Sequence, residues 1–178
     1  MLYFWKKFKM KAFIHILLFS VFLSAVSGCE RDDLCAEAIP KTPGLVMRFF
    51  SSANTDSLLP VTNMRVKFVG INDSLTIGSS FTFSLDSIAI PLKTGVGELL
   101  TQIVLINNAT NTQLRNADTL DVHYLADKEF ISRACGFKNN FVLQNITLRA
   151  DTNNWISAAQ IINDTIQDER KAAVRIFH

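Results

Sequence analysis

The side chains that could do chemistry are few. The chain has three cysteines, Cys29, Cys35 and Cys135, and three histidines, His15, His123 and His178. Cys29 directly follows an apolar run ending in small residues, Leu23-Ser24-Ala25-Val26-Ser27-Gly28. A thiol in that position suits processing and acylation better than catalysis. Cys35 and Cys135 form an even pair, and in an exported chain such a pair is expected as a disulfide. Two free thiols or a metal site are the rival readings, but neither His123 nor His178 has ligand spacing to a cysteine. His123 shares the polar phase of a strand with Asp121. A His–Asp pair is half of a hydrolase site, with Ser132 or Thr147 as conceivable nucleophiles. Two residues apart on an exposed strand face is also ordinary spacing. No Gly-x-Ser-x-Gly occurs. Gly95-Val96-Gly97 lacks the third glycine and the helix of a phosphate loop, and reads as a hairpin turn. Glu37, Glu98, Glu129 and Glu169 are too scattered for a carboxylate pair. The expectation is a non-enzyme with no catalytic residues, no metal and no cofactor.

Residues 1–28 must position Cys29. Lys6, Lys7, Lys9 and Lys11 form a basic front, followed by an apolar core from Ala12 to Val26. About 15 residues is short of the ~20 a membrane-spanning helix requires, whereas it fits a secretory signal. Val26-Ser27-Gly28-Cys29 resembles the bacterial lipobox. That resemblance implies a diacylglyceryl thioether on Cys29, cleavage before it and N-acylation. Several acyl chains anchor stably where one does not, each buried methylene contributing ~0.8 kcal/mol. Glu30-Arg31-Asp32-Asp33 follows at once. It is either a solvated tether or, by a looser resemblance to lipoproteins of the Bacteroidota, a surface-export signal. The expected organisation is a removed signal (1–28), a lipidated tether and extended lead-in (29–44) and one domain (45–178). The expected location is the outer membrane, on its periplasmic or its surface face.

Processing changes the charge. The whole chain is formally +2, but residues 29–178 carry 14 Lys and Arg against 16 Asp and Glu. No clustered basic face remains for nucleic acid. An Asp–hydroxyl–aliphatic triplet recurs at Ser57, Ser74, Ser87, Thr119 and Thr165. It resembles the O-glycosylation motif of exported Bacteroidota proteins. Asp-Ser and Asp-Thr also make local hydrogen bonds where a turn enters a strand, so these five are candidate glycosylation sites with a structural alternative.

The positioning elements read as strands. Leu45–Phe50 is a first strand, and adjacent Phe49 and Phe50 put one ring on each face. Met64, Val66 and Phe68 alternate with Arg65 and Lys67. Short strands are expected around 75–77, 81–85 and 88–92, with Pro91 at an edge or strand end. Ile103-Val104-Leu105-Ile106 is β-branched and ends in the turn signal Asn107-Asn108, which favours a central strand. Leu120–Tyr124, Phe130–Cys135 and Phe141–Leu148 follow, with a bulge near Asn145 where the alternation shifts phase. Residues 155–162 are a strand or one helical turn, and Val174–His178 closes as a strand. No 3.6-residue periodicity is sustained. The fold class is therefore all-β, an antiparallel β-sandwich of immunoglobulin-like size, with a small β-barrel as the alternative. Trp155 lies after both cysteines, so a true immunoglobulin domain is unsupported.

Taken together, the lipobox, the acidic tether, Leu45–Phe50, Asp86–Leu92, Ser132-Arg133-Ala134-Cys135-Gly136-Phe137 and Val174–His178 resemble a family of uncharacterised lipoproteins of flavobacteria and other Bacteroidota, a domain of unknown function. The resemblance implies location and architecture and supplies no activity. The expected role is a lipid-anchored envelope protein, a binding or accessory module for an outer-membrane protein complex or a glycan. A small envelope hydrolase using His123 and Asp121 is the alternative.

Overall fold

A computed structural model describes Cys35 and residues 41–178. Ten strands run in order: β1 (Leu45–Phe50), β2 (Val61–Phe68), β3 (Phe83–Leu85), β4 (Ser87–Ile90), β5 (Gly97–Asn107), β6 (Asn116–Ser132), β7 (Gly136–Leu148), β8 (Ala158–Ile161), β9 (Thr165–Ile166) and β10 (Val174–Phe177). Among the described residues there is no helix. The strands form two sheets, β4-β1-β10-β8 and β3-β2-β5-β6-β7-β9. The architecture is a β-sandwich, not a closed barrel. It belongs to one compact unit, Ala38–Ser132 with Gly136–His178. A second unit comprises Met1–Glu37 with Arg133–Cys135, and within it Cys35 and Cys135 are joined by a disulfide with a Cα–Cα distance of 4.9 Å.

Period-two alternation builds the core, because successive side chains of a strand point to opposite faces. The small sheet contributes Leu45, Met47 and Phe49 from β1, Ile88 and Ile90 from β4, and Val174 and Ile176 from β10. Met64, Val66, Ile103, Leu105, Leu120, Val122, Tyr124, Phe141 and Leu143 oppose them from the large sheet. The β-branched run of β5 lies between β2 and β6, as its composition predicts. Asn108, after β5, takes φ 44°, a left-handed conformation that Asn tolerates better than most residues. The expected bulge is present: His123 pairs with Asn145 while Tyr124 pairs with Leu143, leaving Gln144 extra.

Four readings are corrected or sharpened. The small sheet is mixed, because β10 runs parallel to β1. Leu120–Tyr124 and Phe130–Cys135 are not separate strands; β6 runs unbroken to Ser132, and residues 133–135 are its turn into β7. That three-residue loop closes on Gly136 at φ 69°, the left-handed position such hairpins require. Residues 75–77 make only isolated bridges flanking the segment, Lys67 to Ser74 and Ile77 to Ser80. Gly95-Val96-Gly97 is not a hairpin turn, since β4 and β5 lie in different sheets and the segment crosses between them. Gly and turn residues mark where a chain bends but do not say which sheet receives the next strand.

Residues 155–162 resolve as the strand β8 preceded by an anchoring indole. Trp155 Nε1–H donates to the Leu105 carbonyl at 3.2 Å, and its ring meets His178 edge-on at 5.4 Å. His178 also packs on Phe49 at 6.3 Å, and its Nε2 lies 3.0 Å from the Leu59 carbonyl oxygen. The Ile176-Phe177-His178 segment is thus docked.

Candidate functional site

The sequence-derived chemistry separates into three places. Cys29 lies outside the described residues. Asp121 and His123 share the outer face of β6, opposite Thr147 and Asn145 of β7. Asp121 does not orient His123. Its carboxylate accepts Arg149 Nε–H at 3.0 and 2.9 Å and Gln102 Nε2–H at 3.1 Å. Thr147 Oγ1 is taken by the Asn145 amide at 3.2 Å. Ser132 is nine residues further along the same strand, about 30 Å away at the usual rise. The proposed histidine, carboxylate and nucleophile are therefore not brought into one hydrogen-bonded set. Among the described residues, no three His, Cys, Asp or Glu side chains are grouped to hold a metal ion.

The Asp–hydroxyl sites differ in setting. Ser57 is exposed in the β1–β2 loop. Thr165 is exposed at the start of the edge strand β9, and its hydroxyl donates to Asp164 at 3.0 Å, the local bond that motif makes in turns. Ser74 is half-buried. Ser87 and Thr119 lie within β4 and β6, paired to Arg48 and Val104. Asp86 is the single residue between β3 and β4, so the Asp86-Ser87 step is where the chain changes sheets.

Two arrangements went unseen in the sequence. The first is on the outer face of the small sheet. There Ser87, Arg48, Arg175 and Gln160 form one row across β4, β1, β10 and β8. Arg48 and Arg175 are direct neighbours, and like charges so placed destabilise a sheet. Neither is ion-paired; the carboxylate pairs among the described residues involve Lys138, Arg149 and Arg170. Both guanidinium groups lie over Phe50, at 6.0 and 5.0 Å from the ring centroid. Phe177 packs beside that ring at 6.0 Å, leaving Phe50 only 7% exposed. The second ring of the Phe49-Phe50 pair is thus covered by arginines. Arg175 Nε is buried without a hydrogen-bond partner. Each cation–π contact is worth ~0.5–1 kcal/mol at such a site. Neither guanidinium thus has an anionic partner, and a carboxylate or phosphate is the chemical complement of such a group. The signal was present as Arg48-Phe49-Phe50 and Arg175-Ile176-Phe177, the same Arg-x-Phe on two strands, but their pairing was not legible.

The second arrangement is a cleft of about 520 Å³ lined by Phe68, Val69, Ile71, Pro91, Leu92 and Lys93, with Thr101 among its polar groups. Behind it, the buried Tyr124 hydroxyl donates to the Lys93 carbonyl at 3.0 Å and lies 2.7 Å from Thr101 Oγ1. Burial pushes the Tyr124 phenol above its ordinary pKa. Its ring meets Phe141 edge-on at 5.4 Å.

The match to known proteins falls on this same framework. A family of unknown function, DUF6452, matches residues 61–178, from β2 to the end of the chain. The chain belongs to the DUF6452 family. No curated protein and no solved structure matches it. The family match covers Arg175 but stops short of β1, so Arg48 and Phe50 lie outside it.

Proposed function

We propose that this DUF6452 protein is a lipid-anchored protein of the cell envelope, tethered at the outer membrane through Cys29. There it acts as a non-enzymatic binding or accessory module. Its contact surface is the Arg48–Phe50–Arg175 face, and the group it contacts is an anion carried by an outer-membrane protein complex or a glycan. The observation that carries this reading is the pair of adjacent arginines without a carboxylate partner. A fold tolerates that repulsion at lower cost when an external anion relieves it. The anchor is supported by Val26-Ser27-Gly28-Cys29, and a disulfide is compatible with an oxidising compartment. Commitment of Asp121 to Arg149 weakens the hydrolase alternative.

The test uses the full chain, purified in mild detergent from envelopes of an expressing bacterium. Intact mass reads acylation at Cys29, and mass spectrometry of co-purifying material reads the partner. Wild type is expected to carry the acyl mass and capture a partner that Arg48→Gln/Arg175→Gln loses with its fold unchanged. An unmodified Cys29 behind an intact N-terminus refutes the anchor. Equal capture by the double variant refutes the binding face.

A further inference from the structure

We infer that the tip of the β6–β7 hairpin is a second, non-covalent membrane contact, which inserts Phe130 and Phe137 into the lipid headgroup region; this rests on acylation of Cys29. The two phenylalanines are cross-strand partners with ring centroids 5.3 Å apart. They are nevertheless 58% and 65% exposed. Aromatic pairs of this kind normally form in cores and interfaces. Here the pair stands near the end of a hairpin whose β6 strand outruns the core: Ala126 and Phe141 are buried, 127–130 are all exposed, and on β7 Lys138 and Asn139 are buried in polar contacts. The stem behind it is polar and braced. Glu129 accepts the Asn140 amide at 2.8 Å and pairs with Lys138 at 3.1 Å. Those two contacts, Asn140 first, hold the Glu129 carboxyl below its ordinary pKa. Lys128 and Arg133, two and three residues from Phe130 in sequence, are exposed. Cations on long apolar stems flanking aromatic rings suit a membrane–water interface.

Chain length selects lipid as the occupant. Cys29 is six residues before Cys35, at most ~21 Å of extended chain. The disulfide adds 4.9 Å between Cα atoms, and Phe137 is two residues past Cys135. The acylated residue and Phe137 are thus joined by a path of roughly 33 Å or less. The lead-in enters the domain by the same strand, because Thr42 Oγ1 accepts the Asn139 N–H at 2.9 Å. An anchor leashed this closely keeps the rings within reach of the bilayer that holds it.

The experiment places tryptophan at the tip of the full, acylated chain as Phe137→Trp, and in a second variant as Phe130→Trp. The proteins are reconstituted in vesicles of phosphatidylethanolamine and phosphatidylglycerol, about 7:3, with brominated acyl chains. Wild type supplies the reference, since Trp155 is the one tryptophan after Cys29. Quenching of the new tryptophan is expected at least threefold above that of Trp155. Reduction of the disulfide, with Trp155 emission confirming an intact fold, is expected to lower it about twofold by lengthening the leash. A vesicle-bound protein with the acyl mass whose tip tryptophan is quenched no more than Trp155 overturns the inference while leaving the anchor standing. Absence of the acyl mass and of vesicle flotation refutes the anchor, and the inference with it. Self-association in detergent that disappears in Phe130→Ser/Phe137→Ser would assign the rings to a second copy and overturn it equally.

Discussion

Substitution of Tyr124 by phenylalanine removes one oxygen from the centre of the large sheet. Because the hydroxyl donates to the Lys93 carbonyl, it must accept from Thr101 at 2.7 Å. Without it, the Thr101 hydroxyl, in a side chain 2% exposed, keeps a proton and no acceptor. A buried unsatisfied donor costs about 1–3 kcal/mol. The Lys93 carbonyl sits on an exposed residue beside the cleft and can turn to water, so it adds little. The ring stays edge-on to Phe141, which leaves packing intact. The expected loss is ~2 kcal/mol. With a slope of ~2 kcal/mol per molar urea for a domain of this size, the midpoint should fall by about 1 M at unchanged slope. Thr101→Val alone should cost a similar amount. The double variant removes the bond between the two hydroxyls together with both partners, but it still leaves the Lys93 N–H without Thr101 Oγ1. Its loss should therefore stay above zero and fall short of the sum by ~1–2 kcal/mol. Urea unfolding of the four proteins gives the cycle directly. Strict additivity, or a single-variant loss below ~0.3 kcal/mol, would refute the assignment of this bond.

Two further predictions concern a buried acid and the cross-link. Asp118 is fully buried; Oδ2 accepts the Ile156 N–H at 2.8 Å and Oδ1 has no partner. Burial raises its pKa above 3.8. The folded state thus binds a proton more tightly than the unfolded state. The penalty on the charged form is fully present above the folded pKa and vanishes as pH falls through it towards 3.8. Asp118→Asn removes that titration, so its stability relative to wild type should be more favourable at pH 7 than at pH 4. Parallel stability curves from pH 4 to 7 would contradict this. Cys135→Ser should destabilise by up to ~4.7 kcal/mol on chain-entropy grounds, because the bond spans 100 residues. The check is whether reduced wild type and the variant melt together, well below the oxidised protein; equal melting of all three would remove the disulfide from the stability account.

Local pattern was enough for most of the framework. Alternation at 64–68 and 120–124 told which side chains face inward, because the strand period is two residues whatever the partner. The phase shift after Leu143 located a bulge for the same reason. The pairing of Cys35 with Cys135 followed from arithmetic on a three-cysteine chain. Partnership between distant strands carries no such local signal. Parallel pairing of β10 with β1 joins residues 127 positions apart in the chain, and only that pairing sets Arg48 beside Arg175. The His123–Asp121 spacing was real, yet Arg149, 28 residues from Asp121, takes the carboxylate. Phe130 was legible as an apolar strand residue, and Phe137 only as the aromatic that follows Cys135-Gly136. That they stand beyond the core, exposed, depends on where the opposing sheet ends, and tertiary packing alone decides that.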